Sequence, residues 1–133
     1  MTTEVSPGSD TVALLVGAPV AKVRVDATLH EVATAMVGAC VGALVVGERR
    51  GAPTGIVSER DLVRALAEGR DPDATRAGDI ASTDLVWCAA NATIAEVATE
   101  MMDEYVRHVL VEDRGRLVGI VSARDVLGAY ASG

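Results

Sequence analysis

Phenylalanine is absent from this 133-residue chain, and only Trp87, Tyr105 and Tyr130 carry aromatic rings. The net charge is −7, from 12 Lys plus Arg against 19 Asp plus Glu. Nucleic acid is therefore not an expected partner, because its recognition calls for basic tracks and stacking rings. No apolar run approaches the ~20 residues that cross a bilayer. The first basic residue is Lys22, unlike the start of a secretory leader, so the expectation is a cytoplasmic protein that makes no use of a membrane. Cys40 and Cys88 lie in apolar surroundings and are expected to be buried structural thiols. They form no Cys-x-x-Cys pair, and His30 and His108 form no His-x-x-x-His pair, so no metal site is expected. His30, on a solvent-prone helix turn, is assigned no role. The absence of a nucleophile elbow, a P-loop or a motif-placed Ser-His-Asp set points away from an enzyme.

What the chain has in abundance is small aliphatic residues. Ala and Val supply 22 and 21 positions, so the core is expected to be closely packed from small side chains. The length suits one domain, burying roughly two thirds of its unfolded surface.

The dominant pattern is an internal repeat. Residues 25–62 overlay 90–126 once Arg50 is treated as an insertion, and 17 of the 37 aligned pairs are identical. Each copy reads as strand, helix, strand, strand, helix. Val23–Val25 forms a short strand. Thr28 with Glu31, and Thr93 with Glu96, read as capping boxes in which hydroxyl and carboxylate satisfy the helix's orphan amides. Leu29, Val32, Ala33, Met36 and Val37 then recur at helical spacing, as do Ile94, Val97, Ala98, Met101 and Met102. Two hairpins follow, 41–46 with 54–57 and 106–111 with 117–121. Second helices open at Ser58 and Ser122 and are expected to end at Gly69 and near Gly128. The expected organisation is a flexible tail over residues 1–10, repeat 1 over 11–69, a linker over 70–74 and repeat 2 over 75–133. Neither half buries enough surface to stand alone comfortably.

The doubled segments Gly55-Ile56-Val57-Ser58-Glu59-Arg60-Asp61 and Gly119-Ile120-Val121-Ser122-Ala123-Arg124-Asp125, each after a capped helix and a hairpin, resemble those of the CBS domain pair, or Bateman module. The stretch from Asp61 through Ile80 is similar to the middle of stand-alone bacterial members. The resemblance implies an α+β fold of the α/β class, with tandem repeats about a pseudo-two-fold axis and two clefts between them. It also implies adenosyl ligands such as AMP, ADP, ATP, NAD or S-adenosylmethionine, and side-by-side homodimers formed through the helices. By the same similarity the Ser58 and Ser122 hydroxyls contact phosphate, while Asp61 and Asp125 accept from ribose hydroxyls.

Elementary physics supports such a site. Each motif stands where a strand turns into a helix, so free amides and the positive end of the helix dipole favour an anion. Arg60, Arg124, Arg107 and His108 are further candidates to complement phosphate. Val20, Ala43 and Leu85 complete the expected ligand contacts and would meet a base with aliphatic surface. The second copy has Arg107-His108 where the first has Gly42-Ala43. The alternative reading takes Ser-x-x-Asp as a capping motif alone and the chain as a ligand-free module for dimerisation or for docking an unknown protein partner.

Overall fold

The computed structural model describes residues 7–16, 20–48 and 50–132. Each repeat folds in the expected order. The first comprises β1 (Lys22–Val23), α1 (Leu29–Ala39), β2 (Ala43–Gly47), β3 (Pro53–Ser58) and α2 (Glu59–Ala67). A short α3 (Ala77–Ile80) precedes the second, which comprises β4 (Trp87–Ala89), α4 (Ile94–Glu104), β5 (His108–Asp113), β6 (Arg116–Ser122) and α5 (Ala123–Ser132). Both sheets have three strands, β1-β2-β3 and β4-β5-β6, and in each the first pair is parallel and the second antiparallel. Among the described residues no helix is long and apolar enough to cross a membrane.

The helix boundaries follow local chemistry. Thr28 caps α1 through a complete capping box: Glu31 N–H donates to Thr28 Oγ1 at 3.1 Å, and Thr28 N–H donates to Glu31 Oε1 at 3.1 Å. The bond from Thr28 N–H, and after it the one that the Thr28 hydroxyl donates to Glu31 Oε1 at 3.0 Å, hold the Glu31 carboxyl below its usual range. Thr93 forms only half of the expected box. It accepts from Glu96 N–H, while the Glu96 carboxylate takes the Thr93 hydroxyl instead of its amide. Gly69, at φ +80°, ends α2. Its N–H donates to the Leu66 carbonyl and Arg70 N–H donates to that of Ala65, the paired bonds of a left-handed helix stop. Gly128 does not end α5, which runs on to Ser132 because Gly128 keeps helical geometry rather than the positive φ of a stop.

Two compact units result, and they do not coincide with the repeats. One holds Ala21–Leu85 and the other Val86–Gly133 together with the chain up to Val20. The first unit's core joins Leu29, Val32, Met36, Leu44, Val57 and Ala77. The other joins Val12 to Ile94, Val97, Val109, Val111 and Val121. Val12 and Ala77 are both fully buried and are related by the same 65-residue offset as the repeats. Val12 N–H donates to the Ala92 carbonyl at 2.8 Å, and Ala77 N–H donates to that of Ala27 at 2.7 Å. The Asp10 carbonyl accepts from Ile94 N–H as that of Thr75 does from Leu29 N–H. The segment leading into each repeat thus completes the core of the other.

The exchange concerns packing and not the bounds of the repeats. Residues 11–16, at the start of repeat 1, pack with the second repeat's elements. Residues 75–85, assigned to repeat 2, pack with the first. Of the expected tail, 1–6 fall outside the described residues, whereas Pro7–Ser9 forms a 3-10 turn. Gly8 is buried there, and a Cβ on it would overlap Tyr130 Oη and stand 3.2 Å from Ala95 Cβ. The linker residues are also engaged, since the Pro72 carbonyl accepts from His30 N–H.

The glycine that opens each Gly-Ile-Val-Ser segment is explained by the same exchange. In the first unit Ile56 and Ser82 exchange both backbone bonds, at 2.9 and 2.8 Å, laying the entering chain along β3. In the other unit a Cβ on Gly119 would overlap Val16 Cγ1. Hydrogen here is a packing requirement.

Candidate functional site

The two motif turns are built alike. Ser58 caps α2 with extended backbone, φ −104° and ψ 163°. Asp61 N–H donates to Ser58 Oγ at 3.2 Å, while Ser58 N–H and Oγ–H donate to Asp61 Oδ2 at 2.8 and 2.9 Å. In the second repeat Ser122 N–H donates to Asp125 Oδ2 at 2.8 Å and Asp125 N–H donates to Ser122 Oγ at 3.0 Å. The capping function is therefore realised at both turns. At both, the carboxylate's described bonds fall on Oδ2, and the second oxygen of a carboxylate can accept further hydrogen bonds.

Neighbouring strands deliver further expected residues. Ala43 is buried and registers opposite Ser58. The Gly42 carbonyl accepts Glu59 N–H at 2.8 Å, and the Arg107 carbonyl accepts Ala123 N–H at 2.8 Å. His108 is half-buried and registers opposite Ser122, with Arg107 exposed beside it. Arg60 and Arg124 are exposed one residue before the aspartates. The structure thus gathers Ser58, Arg60, Asp61 and Ala43 at one turn, and Ser122, Arg124, Asp125, Arg107 and His108 at the other. Val20 and Leu85 are half-buried and stand where the chain passes from one compact unit to the other.

Two residues near the turns stand outside the expected ligand contacts, Glu59 and Trp87, the one ring close to the expected base-contacting segments. The Glu59 carboxylate folds over the first turn, its Cδ 3.3 Å from where a Gly42 Cβ would stand. The alignment signals this, since Ala123 occupies the matching position. Trp87, 40% exposed, pairs with Leu110 as Lys22 pairs with Val45. That equivalence lies upstream of the aligned segments.

The thiols differ from expectation. Cys40 is exposed rather than buried, because it forms the left-handed C-cap of α1 at φ 55°. Cys88 is half-buried in β4. Burial first, then the charges of Glu100 and Glu112, pushes its thiol up to about 11. Among the described residues no three His, Cys, Asp or Glu side chains converge as a metal site. An open cavity of about 490 Å³ lies at the hairpin end of the second sheet, lined by Thr11, Asn91, Glu112 and Arg114 among others. It includes none of the expected ligand contacts.

Known proteins share this architecture. A crystal structure of a CBS-domain-containing protein from Agrobacterium tumefaciens superposes with a TM-score of 0.79 at 34% identity, covering 90% of this chain and 98% of that one. A CBS domain protein from Pyrobaculum aerophilum, solved in complex with AMP, gives 0.77 at 31% identity, covering 92% and 99%. Hypoxic Response Protein I, solved with two coordinated zinc ions, gives 0.71 at 34% identity, covering 89% and 97%. The chain spans about half the length of the first curated relatives it matches. These are a Methanopyrus kandleri protein, 33% identical over 102 residues, and Hypoxic response protein 1 of Mycobacterium tuberculosis, 40% identical over 73 residues. The family model for the CBS domain matches twice, over residues 15–68 and 77–132. Both repeats are accounted for by these matches, and the chain belongs to the CBS domain family as a tandem pair.

Proposed function

We propose that the protein is a cytoplasmic, non-enzymatic sensor that binds an adenosyl ligand at its Ser-x-x-Asp turns. The observation that carries this reading is the pair of matching strand-to-helix turns. Each sets a serine hydroxyl and an aspartate carboxylate at the amide-rich start of a helix. That end favours phosphate, and the carboxylate can take ribose hydroxyls. Further support is the relative from Pyrobaculum aerophilum, 31% identical and solved with AMP. With no aromatic cage, binding is expected to be modest and to respond to changing concentration. Signalling then requires that the ligand bind one conformation better than another.

Thermal-shift and calorimetric titration with AMP, ADP, ATP, NAD and S-adenosylmethionine tests the proposal. At least one compound is expected to raise the melting temperature at millimolar concentration. No stabilisation by any of them would overturn it.

A second reading has its own observation. The helices leave Val37, Val63 and Leu66 exposed in the first unit, and Met102, Leu127 and Tyr130 in the other. Such surfaces suit a homodimer or an unidentified protein partner with no ligand involved. Light scattering reports the oligomer. A dimer whose stability ignores every adenosyl compound would favour this reading over the sensor.

A further inference from the structure

The cavity of about 490 Å³ at the hairpin end of the second sheet lies at the opposite end of the strands from Ser122. All of its lining residues belong to one compact unit. We propose that it binds a small guanidinium compound. The site is separate from the Ser-x-x-Asp turns, and it stands or falls independently of the adenosyl ligand.

The internal repeat supplies the comparison. Thr11 bridges to Thr93 as Arg76 bridges to Thr28, so Thr11 and Arg76 occupy matching places. By the same offset Ala89 matches Arg24, Asn91 matches Asp26 and Glu112 matches Gly47. In the first unit the chain's own cations occupy this end of the sheet. Arg76 Nη1 donates to the Asp26 carbonyl at 3.0 Å, and Arg24 pairs with the Asp26 carboxylate at 3.4 Å. Lys22 donates to the Gly51 carbonyl at 2.9 Å, its Cε 3.3 Å from where a Cβ on Gly47 would stand. The second repeat has Thr11, Ala89 and Trp87 in place of these three cations, and it adds a carboxylate at Glu112. The cavity therefore lies where the other repeat keeps two guanidinium groups.

Its lining suits a cation on a short apolar stem. Ala13, Ala89 and Ala90 contribute small apolar surface, which such a stem can cover. Glu112 is half-buried, and its Oε2 accepts from Gly115 N–H at 3.0 Å, which holds the carboxylate in place. A carboxylate accepts several hydrogen bonds, so Glu112 can meet the planar fork of a guanidinium and keep that bond. Asp113 adds a second negative charge, against Arg114 alone. Among the described residues Arg114 pairs with neither carboxylate. The volume falls within the range of small-molecule sites.

The test is titration of the full chain with agmatine, a guanidinium on a four-carbon amine, followed by amide NMR shifts. Saturable shifts are expected at Asn91, Glu112 and Gly115, and none at Ser122 or Asp125. Glu112→Gln keeps an oxygen for the Gly115 amide and is expected to weaken binding by about tenfold. Its melting temperature reports folding separately. Ala89→Arg gives the second repeat the arginine that the first has at Arg24, and is expected to abolish binding by filling the cavity from within. Putrescine, with an ammonium in place of the guanidinium, is expected to bind more weakly because it lacks the planar fork. N-acetyl-arginine amide, which stands for an arginine within a chain, is expected to bind no more tightly than agmatine, having one positive charge to set against two carboxylates. No saturable shift at millimolar agmatine, equal binding of putrescine, or unchanged binding in Glu112→Gln overturns the proposal. Tighter binding of the arginine amide overturns the assignment to a small molecule, in favour of a partner's side chain.

Discussion

Gly55 and Ser82 approach so closely that a Cβ on the glycine would stand 3.0 Å from the serine's carbonyl oxygen. Ser82 belongs to the segment that leads into the second repeat, yet it pairs with Ile56 of the first. The contact is backbone against backbone, so neither side can yield by changing a rotamer.

Gly55→Ala is accordingly expected to destabilise the fold by about 1–3 kcal/mol, the usual cost of overpacking. Gly119→Ala should behave similarly, because its methyl overlaps the stiff Val16 side chain. Gly38→Ala is the control, since nothing lies within 4 Å of its Cβ position. Urea denaturation of the three variants provides the comparison. An unchanged midpoint in Gly55→Ala would contradict the packing described.

Val12 offers a second test, at the opposite exchanged segment. It is fully buried among Ile94, Val97 and Val109 although it precedes the first repeat. Val12→Ala removes two methyl groups from that core and should cost about 2 kcal/mol. A loosely attached leader would give almost no change in melting temperature.

Cys40 and Tyr105 occupy matching positions at the C-caps of α1 and α4, both left-handed, at φ 55° and 54°. Side chains with a Cβ are strained there, and Tyr105 is 94% exposed, so little packing is lost with it. Tyr105→Gly is expected to stabilise by up to about 1 kcal/mol, net of the glycine's greater freedom when unfolded. A lower melting temperature would show that the ring contributes packing that outweighs the strain.

The thiols should separate by reactivity. Exposed Cys40 is expected to be alkylated quickly at neutral pH, whereas Cys88, with its thiol pushed up to about 11, should react slowly. Stability follows the same titration. The folded chain keeps a proton that the unfolded chain releases near pH 9.0, so Cys88's contribution is full below pH 9.0 and is lost as pH rises towards about 11. Cys88→Ala should flatten that part of the stability profile. Equal alkylation rates at the two cysteines would contradict this picture.

The sequence by itself determined each repeat's internal order, because hydrophobic period, capping pairs and turn residues act over a few neighbours. Thr28 with Glu31, Ser58 with Asp61 and the stop at Gly69 could all be read before any contact was known. The candidate turns were legible for the same reason, as Ser-x-x-Asp is both a cap and the family's motif. Tertiary structure alone decided which core each leading segment completes. Residues 10–20 and 75–85 share no identical pair at the repeat offset, so no pattern announced that Val12 and Ala77 are equivalent. Burial asks only for small apolar side chains and well-placed backbone amides, and many sequences supply those. It likewise took the packed chain to lay Glu59 over Gly42 and to set Trp87 opposite Leu110. Such relationships depend on strand register and on the path of a flexible side chain, neither of which is set by residues close in sequence.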